Sequence, residues 1–404
     1  MSIWSALTRP IHGGGSSRRR RRSGIALLVA ISTILVLTVV VTELTYNARV
    51  RYLIAAHEKE RAQAYWVSQT GMNLYKLILS ANKGLEGSAA GGMAESFGIN
   101  IGDALWQWVP VINTGLMRML FASGGDVDED DLEAFKQSGR VSDEIDEASR
   151  EDSRFSDKNF LDFDGDFNAE VTDEDSKLNI SHLANHTGTI QESAIGLQLY
   201  GLMAGEENDA WFRDRNIERW DIIANLKDWV DTDTMGSSRR GGQEDNLYNN
   251  RASAYLAKNA AFDTFEEIRL VEGWQDDIME RFGTQLTIHG TGKININTAS
   301  DEVLFALIKA YVMPTPMDQE VHRMVEQIRE HMWFVSFNNG KDFAKFLSNL
   351  GYTVSEDLQS QIGKSSKTFK VVSTGLVGNT SVTTTAIIDY NSSQTGAVTY
   401  WRVD

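Results

Sequence analysis

The chain has 404 residues, of which 42% are hydrophobic, so it is long enough for two or three domains with a sizeable core. Its formal net charge is −17, and the basic residues concentrated in the first 24 positions leave the remainder more acidic still. This charge disfavours nucleic acid, because phosphate binding needs clustered Lys and Arg, and it suits hard cations or a basic partner. Cysteine is absent, which excludes disulfide bonds and thiolate chemistry.

Five consecutive arginines, Arg18 to Arg22, precede an uncharged apolar run from Ile25 to Thr42, which Glu43 ends. At a rise of about 1.5 Å per residue the run spans about 27 Å, close to the hydrocarbon thickness of a thin bilayer. The arginines indicate a cytoplasmic N-terminus and a body on the far side of the membrane, the periplasm in a two-membrane bacterium. No small-x-small cleavage site follows the run, which argues against an ordinary signal peptide.

The helix that begins in this run is predicted to continue beyond it, because neither Gly nor Pro occurs between Ile25 and Thr70. Apolar residues then recur at alternating three- and four-residue steps, at Ala64, Val67, Gly71, Leu74 and Ile78. This spacing predicts one helix of about 55–60 residues that stops near Gly84 and lays an apolar stripe on a globular body.

A basic leader, a Gly, an uncharged run and a continuing amphipathic helix resemble the N-terminus of type IV pilin-like proteins. The resemblance implies that a prepilin peptidase cleaves between Gly24 and Ile25, that Ile25 is methylated, and that the apolar run is retained. Most such subunits carry Glu five residues after the cut, where this chain has Val29. That departure, with the tract "QAYWVSQTGMNLYKLIL", resembles the K subunit of the type II secretion system, general secretion pathway protein K (GspK).

Strands are predicted at both ends of the body. "AEVTDEDSKLNI" predicts two short strands around an acidic turn, and three β-branched segments, "KTFKVVSTG", "TSVTTTAIID" and "GAVTYWRVD", predict three more. Helical sequence lies between these ends, so we expect an α+β fold with an inserted all-helical domain. The resemblance implies a pilin-like long N-terminal helix packed on an antiparallel sheet.

The expected organisation has five parts. They are a cleaved leader (1–24), a transmembrane segment (25–42), a continuing amphipathic helix (43–84), a pilin-like α/β core with an acidic loop (85–176 and 366–404), and the inserted helical domain (177–365). The acidic tract 124–156 is expected to be a solvated or partly disordered loop.

The insertion contains an internal repeat, because "KLNISHLAN" from Lys177 matches "KININTASD" from Lys293 in a Lys-apolar-Asn-Ile frame. Each segment precedes helical sequence, which predicts two related small bundles. Asn297, Thr298 or Ser300 is expected to cap the helix that follows the second segment.

The tract "LKDWVDTDTMGSSRRGGQEDNLY" concentrates acidic residues at the end of an amphipathic helix and after a Gly/Ser loop. Oxygen ligands on a flexible loop suit Ca²⁺, but the spacing does not match an EF-hand. The residues alone therefore leave two interpretations open, a calcium site and a solvated acidic loop.

The resemblance favours calcium, because the K subunit holds calcium in a comparable tract of its helical domain. Asp231, Asp233, Glu244, Asp245 and Tyr248 match that tract, and the first four are the expected metal ligands. Further candidate ligands are Asp228 and Asn259.

Two other patterns are weaker. The acidic group at Asp162, Asp164, Asp166 and Asn168, with Asp175, has EF-hand-like spacing, but Ala169 stands where the loop needs Gly, so we expect an acidic turn. His182 and His186 have i, i+4 spacing without a third ligand, which favours ordinary surface or capped histidines.

No enzyme motif emerges. The resemblance implies a non-enzymatic minor pseudopilin, anchored by a single span in the inner membrane, that caps the periplasmic pseudopilus and supports export across the outer membrane. Its expected partners are the I- and J-type minor pseudopilins, the prepilin peptidase and inner-membrane lipid. An alternative is a membrane-anchored, calcium-binding periplasmic receptor or adhesion domain. "INTASDEVLFAL" resembles half of a helix-hairpin-helix but lacks its glycine hairpin, so we expect no nucleic-acid partner.

Overall fold

The computed structural model describes residues 20–86, 88, 104–117, 165–185, 188–238, 241–249 and 253–404. The chain divides into two compact units, residues 1–62 and 63–404, and the boundary falls inside the first helix. Several predicted features lie outside the described residues: most of the leader, the acidic tract 124–156, Asp162, Asp164 and His186.

The first helix, α1, runs from Arg20 to Glu86 and is 67 residues long, so it passes the predicted stop at Gly84 by two residues. It contains the one described helix segment that is long and apolar enough to cross a membrane. The hydroxyls of Thr33 and Thr38 each donate to a backbone carbonyl four residues earlier, at 2.8 Å. These bonds satisfy the polar side chains within the helix itself, which fits a single-pass membrane anchor.

The part of α1 in the second unit packs on a sheet, with Ala64, Val67 and Gly71 buried as predicted. Leu74 and Ile78 continue the stripe as predicted, as partly buried residues packed against the core. Tyr75 and Leu79, beside them on the helix, are more deeply buried, at 0% and 1% exposure. The Tyr75 hydroxyl donates to the carbonyl of Val109 at 2.9 Å.

The sheet on which α1 packs has five strands: β1 (Val111–Asn113), β2 (Asp166–Asp173), β7 (Thr368–Val377), β8 (Thr380–Asp389) and β9 (Ala397–Val403). They lie in the order β1-β2-β7-β8-β9, and every neighbouring pair is antiparallel. Burial alternates strictly along β2, as expected for a strand with one face on a core. A short helix, α2 (Ala104–Trp108), precedes β1. The antiparallel sheet and the long helix confirm the predicted α+β class.

Between β2 and β7 the chain is mainly helical. Its helices are α3 (Ala194–Leu202), α4 (Glu206–Asp214), α5 (Arg219–Val230), α6 (Asp276–Phe282), α7 (Asp301–Tyr311), α8 (Asp318–Phe334), α9 (Gly340–Asn349) and α10 (Asp357–Gln361). Two small sheets join them: β3 (Leu178–Asn179) with β4 (Leu286–Thr287), and β5 (Val312–Met313) with β6 (Thr353–Val354). The segment predicted as a second strand after the acidic turn is β3, and it joins β4 rather than the five-stranded sheet.

The two Lys-apolar-Asn-Ile segments have the same local structure. The side-chain oxygen of Asn179 accepts from the N–H of Ser181 at 3.0 Å, and that of Asn295 accepts from the N–H of Asn297 at 3.1 Å. Each Asn thus forms a turn that mimics a backbone turn, and the Ile that follows it is fully buried. Of the three candidate caps, Ser300 is the N-cap of α7 and accepts from the N–H of Val303.

The acidic turn after β2 joins the sheet to the helical region. Asp173, Glu174 and Asp175 are all buried. The Asp173 carboxylate accepts from the hydroxyls of Thr298 and Ser366. Asp175 Oδ2 accepts from the N–H groups of residues 367 and 368 at 2.8 and 2.9 Å. The turn therefore ties the start of the helical region to its end, where the chain enters β7.

Candidate metal centre

The first two acidic residues of the site stand at the end of α5, an amphipathic helix whose last two turns are buried. Asp228 lies in the last turn and Asp231 is the C-cap. A helix C-terminus carries partial negative charge, so two carboxylates are unfavourable there unless a cation offsets them. Lys227 forms an ion pair with Asp231, with its Nζ 3.7 Å from Asp231 Oδ2, and so offsets part of this charge.

The loop after α5 returns the chain to the same place. The N–H of Gly236 donates to the carbonyl of Gly242 at 2.8 Å, and the N–H of Glu244 donates to the carbonyl of Thr234 at 3.4 Å. Gly242 has φ +100°, a conformation that favours glycine. A 3₁₀ helix, Glu244–Leu247, follows directly. These bonds place the Glu244 side chain beside the end of α5.

As a result, three carboxylates converge. One oxygen each of Asp228, Asp231 and Glu244 lies within 4.8 Å of the others, and all three residues are buried. Their exposed fractions are 1%, 7% and 2%. Among the residues that the structure describes, this is the one such cluster of His, Asp or Glu side chains.

The hydrogen bonding of these carboxylates is incomplete. Both oxygens of Asp228 accept from the N–H of Ser237, at 2.9 Å. In contrast, both oxygens of Asp231 and both of Glu244 are buried without a hydrogen-bond partner, and so is Oδ1 of Asn259. Five of the ten such atoms in the described part of the chain thus belong to predicted ligands. Buried polar atoms are normally paired, so these oxygens are available to a ligand.

Burial and mutual repulsion oppose ionisation of the cluster. Burial, then the charges of Asp228 and Asp231, raise the pKa of Glu244 to about 8. Burial raises the pKa of Asp228 to about 6, although the N–H of Ser237 opposes this. Burial, then the charge of Asp233, also raise the pKa of Asp231. A bound cation would reverse each of these effects.

The other predicted ligands have different roles. Asp233 is exposed, and its Oδ1 accepts from the N–H of Met235 at 2.8 Å. The backbone carbonyl of Asp233 accepts from Asn259 Nδ2 at 2.6 Å, so Asn259 is tied to this loop. Asp245 Oδ1 accepts from the N–H of Ala257 at 3.1 Å.

Tyr248, which matches the family tract, is a core residue rather than a ligand. Its side chain is fully buried, and its ring packs edge-on against Trp229 with centroids 5.3 Å apart. It also stacks on Tyr255 at 5.3 Å. Tyr248 is the C-cap of the 3₁₀ helix that carries Glu244, so these ring contacts anchor that helix to the core.

The weaker sequence patterns do not form a second centre in the described residues. Asp166 and Asn168 lie on β2, and the carboxylate of Asp175 is bonded to backbone N–H groups at the acidic turn. His182 is exposed beside Gly292. Sequence analysis missed the buried bonds of Asp173, Glu174 and Asp175, because their spacing indicates only a polar turn.

The site offers oxygen ligands alone, and they are buried, anionic and incompletely hydrogen-bonded. This donor set fits a hard divalent cation such as Ca²⁺, which takes six to eight oxygens, and lacks the N and S ligands that Zn²⁺ prefers.

Comparison with known proteins identifies the region that carries the site. Residues 176–289 match the family model described as "Type II secretion system (T2SS), protein K". This region of the chain is thus similar to the type II secretion system protein K family. The matched residues contain Asp228, Asp231 and Glu244, so the candidate metal centre lies within the protein K region.

Two proteins illustrate the similarity. The type II secretion system protein K of Pseudomonas aeruginosa (strain PAO1) is 30% identical over 126 residues, which are 31% of this chain and 34% of that protein. The match thus spans about a third of that relative's length. A chain in the crystal structure of the GspK–GspI–GspJ complex of the enterotoxigenic Escherichia coli type 2 secretion system has TM-score 0.47 and 19% identity, over 60% of this chain and 80% of that chain. A structural likeness of this size carries no argument about function.

Proposed function

We propose that the chain is a minor pseudopilin of a type II secretion system that acts at the tip of the periplasmic pseudopilus. The observation that carries this proposal is the match of residues 176–289 to the protein K family. The exposed apolar segment of α1 supports it, because a pseudopilin is stored in the inner membrane until it is extracted. We propose that the body lies in the periplasm, as the arginines before the apolar run indicate.

The tip position follows from two features of this chain. Val29 has no carboxylate to pair with the free amine of a neighbouring subunit, and at the tip no subunit above requires such a pair. The helical region between β2 and β7 is also bulky enough to prevent further subunits from stacking. The protein would act by packing and docking rather than by catalysis.

The solved GspK structure is titled as a complex with GspI and GspJ. We propose that the corresponding minor pseudopilins are partners of this chain, together with the prepilin peptidase and inner-membrane lipid. This part of the proposal rests on the match of residues 176–289 to the protein K family. It does not rest on the structural likeness.

Mass spectrometry of the membrane-extracted protein tests the assignment. We expect a mature chain that begins at methylated Ile25 and co-purifies with the I- and J-type subunits. A Gly24→Val variant should keep the leader and lose this assembly, because a Cβ branch at the cleavage position obstructs the peptidase. An unprocessed wild-type chain that binds neither subunit would contradict the proposal and favour the membrane-anchored receptor.

We also propose that the protein holds Ca²⁺ through Asp228, Asp231 and Glu244, with Asp233, Asp245 and Asn259 as further candidate ligands. The five unpartnered buried oxygens support this proposal. The ion would add to the one positive charge, that of Lys227, at the end of α5. It would also fix the Gly/Ser loop in the absence of disulfides.

Removal of calcium tests the site directly. We expect a chelator to lower the melting temperature of the purified protein. Added Ca²⁺ should restore the melting temperature, and the rise measured by calorimetry should saturate with Ca²⁺ concentration. Mg²⁺ at equal concentration should restore less, because its near-octahedral geometry suits this irregular set of ligands poorly. An unchanged melting temperature at saturating chelator would exclude the calcium proposal while leaving the pseudopilin assignment intact.

A further inference from the structure

The last strand of the sheet has an outer edge that is unpaired among the described residues, called the free edge below. β9 pairs with β8 on one side, and no described strand pairs with its other side. Residues 383 and 404 exchange both backbone hydrogen bonds, at 3.1 and 2.9 Å. Since bonded and non-bonded pairs alternate in an antiparallel ladder, the N–H and C=O groups of Trp401 and Val403 point away from β8.

This edge has few of the features that usually prevent strand addition. Proteins protect edge strands with charges, prolines, bulges or short lengths. β9 has seven residues, no proline and a single charged residue, Arg402. Its one register irregularity lies at the other end, opposite residues 387 and 388.

The two faces beside this edge differ in chemistry. Trp401 and Val403 lie opposite Ala386 and Thr384, on the face that α1 covers, because Thr384 Oγ1 is hydrogen-bonded to Ser68 Oγ at 2.8 Å. Each of these two β9 side chains is nevertheless 42% exposed. This face of the edge therefore presents apolar surface.

The opposite face opens into a cleft of about 670 Å³ between the sheet and the helical region. Its charged lining consists of four cations and two carboxylates: Lys177, Arg269, Lys370, Arg402, Glu174 and Glu266. Two of these cations, Arg269 and Arg402, also pair with carboxylates beside the cleft, Asp276 and Asp404. Lys370 is therefore the one cation of the lining without an ion pair to a described residue. Because Tyr400 and Arg402 of β9 line it, the cleft extends to the free edge of the sheet.

Most of the cations that line the cleft already pair with carboxylates of this chain. Glu174 and Glu266 already pair with Lys177 and Arg269. The side chain of Lys370 is half-buried in the cleft and has no ion pair with a described residue. Arg402 pairs with Asp404 at 2.9 Å on the exposed edge. Lys370 can therefore receive a carboxylate from another chain, and Arg402 can do so by exchanging its exposed bond to Asp404.

We propose that β9 accepts an extended segment of a partner protein in which acidic and apolar residues alternate, as a sixth strand of the sheet. Side chains of a strand alternate between the two faces, so one set meets the cationic cleft and the other meets Trp401 and Val403. Backbone bonds to the free edge provide affinity, and the two faces provide specificity. The inference does not depend on the partners proposed above.

A labelled peptide tests this surface. The probe is fluorescein-GSEVEVEVEVGS, and fluorescence anisotropy measures its binding to the full chain in detergent micelles. We expect saturable binding at least tenfold tighter than that of three control peptides. One replaces Glu with Lys, one places the Glu and Val residues in separate blocks, and one is N-methylated at alternate residues, which removes the donors to the β9 edge.

Variants of the protein locate the bound peptide. Lys370→Gln and Arg402→Gln should each weaken binding by about threefold to tenfold, whereas Lys345→Gln, an exposed lysine on α9, should have no effect. Backbone amides of residues 401 and 403 should exchange more slowly with the probe present. Equal affinity for the N-methylated peptide, or no saturation by 1 mM probe, would overturn the proposal.

Discussion

At the scale of single residues, Asp231 and Glu244 lie beside other carboxylates whose negative charges destabilise their ionised forms. Neither carboxylate has a hydrogen-bond partner in the structure, and both are almost fully buried. Buried carboxylates without hydrogen bonds are costly, and Lys227 pairs with Asp231 alone, so the metal-free site should be a point of low stability.

Neutralising one of these charges should therefore have opposite effects with and without calcium. We expect Glu244→Gln to raise the melting temperature of the metal-free protein, because Gln can be buried beside Asp228 and Asp231 without the proton uptake that Glu244, with a pKa of about 8, requires near neutral pH. The same change should weaken Ca²⁺ binding by at least tenfold, since it removes an anionic ligand. Calorimetry with and without Ca²⁺ measures both effects. Glu280→Gln removes an exposed charge outside the site and should change neither.

The raised pKa values also predict how stability depends on pH. Asp228 and Glu244 rise from ordinary values of 3.8 and 4.5 to about 6 and about 8. The folded state then holds protons that the unfolded state releases, so the metal-free protein loses stability as pH rises from about 4 to about 8. Thermal unfolding of calcium-depleted protein should show this decline. A flat profile in the wild type, or an equal decline in the Asp228→Asn/Glu244→Gln variant, would contradict it.

Part of the site could be predicted from sequence and part could not. Spacing and resemblance indicated Asp231 and Glu244, because both flank a Gly/Ser loop that must return on itself. Sequence alone could not rank Asp228 above Asp233, since only the fold shows which carboxylate turns inward at the end of α5. Sequence alone also could not predict that Oδ1 of Asn259 is buried without a hydrogen bond, because this follows from the bond between its Nδ2 and the carbonyl of Asp233.

At the scale of elements, α1 and β7 approach each other at glycines. A Cβ added to Gly375 would lie 2.1 Å from the carbonyl oxygen of Ala64 and 2.6 Å from the N of Ser68. Both contacts are with backbone atoms, so neither can move aside cheaply.

We expect Gly375→Ala to destabilise the second unit by about 1–3 kcal/mol, because the helix must shift away from the sheet. Chemical denaturation followed by tryptophan fluorescence measures the loss. Gly84→Ala is the matched control, since an added Cβ there meets nothing within 4 Å. This control should leave stability unchanged or raise it by up to about 1 kcal/mol. Equal effects of the two changes would show that the close approach does not limit packing.

The presence of the helices and strands was easier to predict than which of their residues face the core. The absence of Gly and Pro indicated the length of α1, and β-branched residues indicated β7, β8 and β9. Periodicity could not predict that Tyr75 is more deeply buried than Leu74, because the bond from its hydroxyl to Val109 joins distant segments. β1, Val111–Asn113, was missed because three residues are too few for a periodic pattern.

At the scale of the whole molecule, residues 63–404 form a compact unit with their own hydrophobic cores. We expect a chain truncated to these residues to fold without detergent and to keep the calcium-dependent shift in melting temperature. Size-exclusion chromatography and calorimetry test this expectation. A truncated chain that aggregates, or whose transition no longer responds to Ca²⁺, would show that the second unit needs residues before 63.

The organisation of the fold was predictable because the β-rich segments lie at both ends of the body. The connection of its parts was not, because it depends on the acidic turn. The carboxylates of that turn bond to backbone and hydroxyl groups near residue 366, almost two hundred residues later in the chain, and no local pattern indicates such pairing.

The turn has an evolutionary implication. Since the helical region departs from β2 and rejoins at β7 through adjacent, mutually bonded residues, its two ends occupy one spot on the sheet. A genetic insertion or deletion there would change the accessory module without disturbing strand pairing. A short hairpin in place of the helical region should therefore still allow β2 to pair with β7.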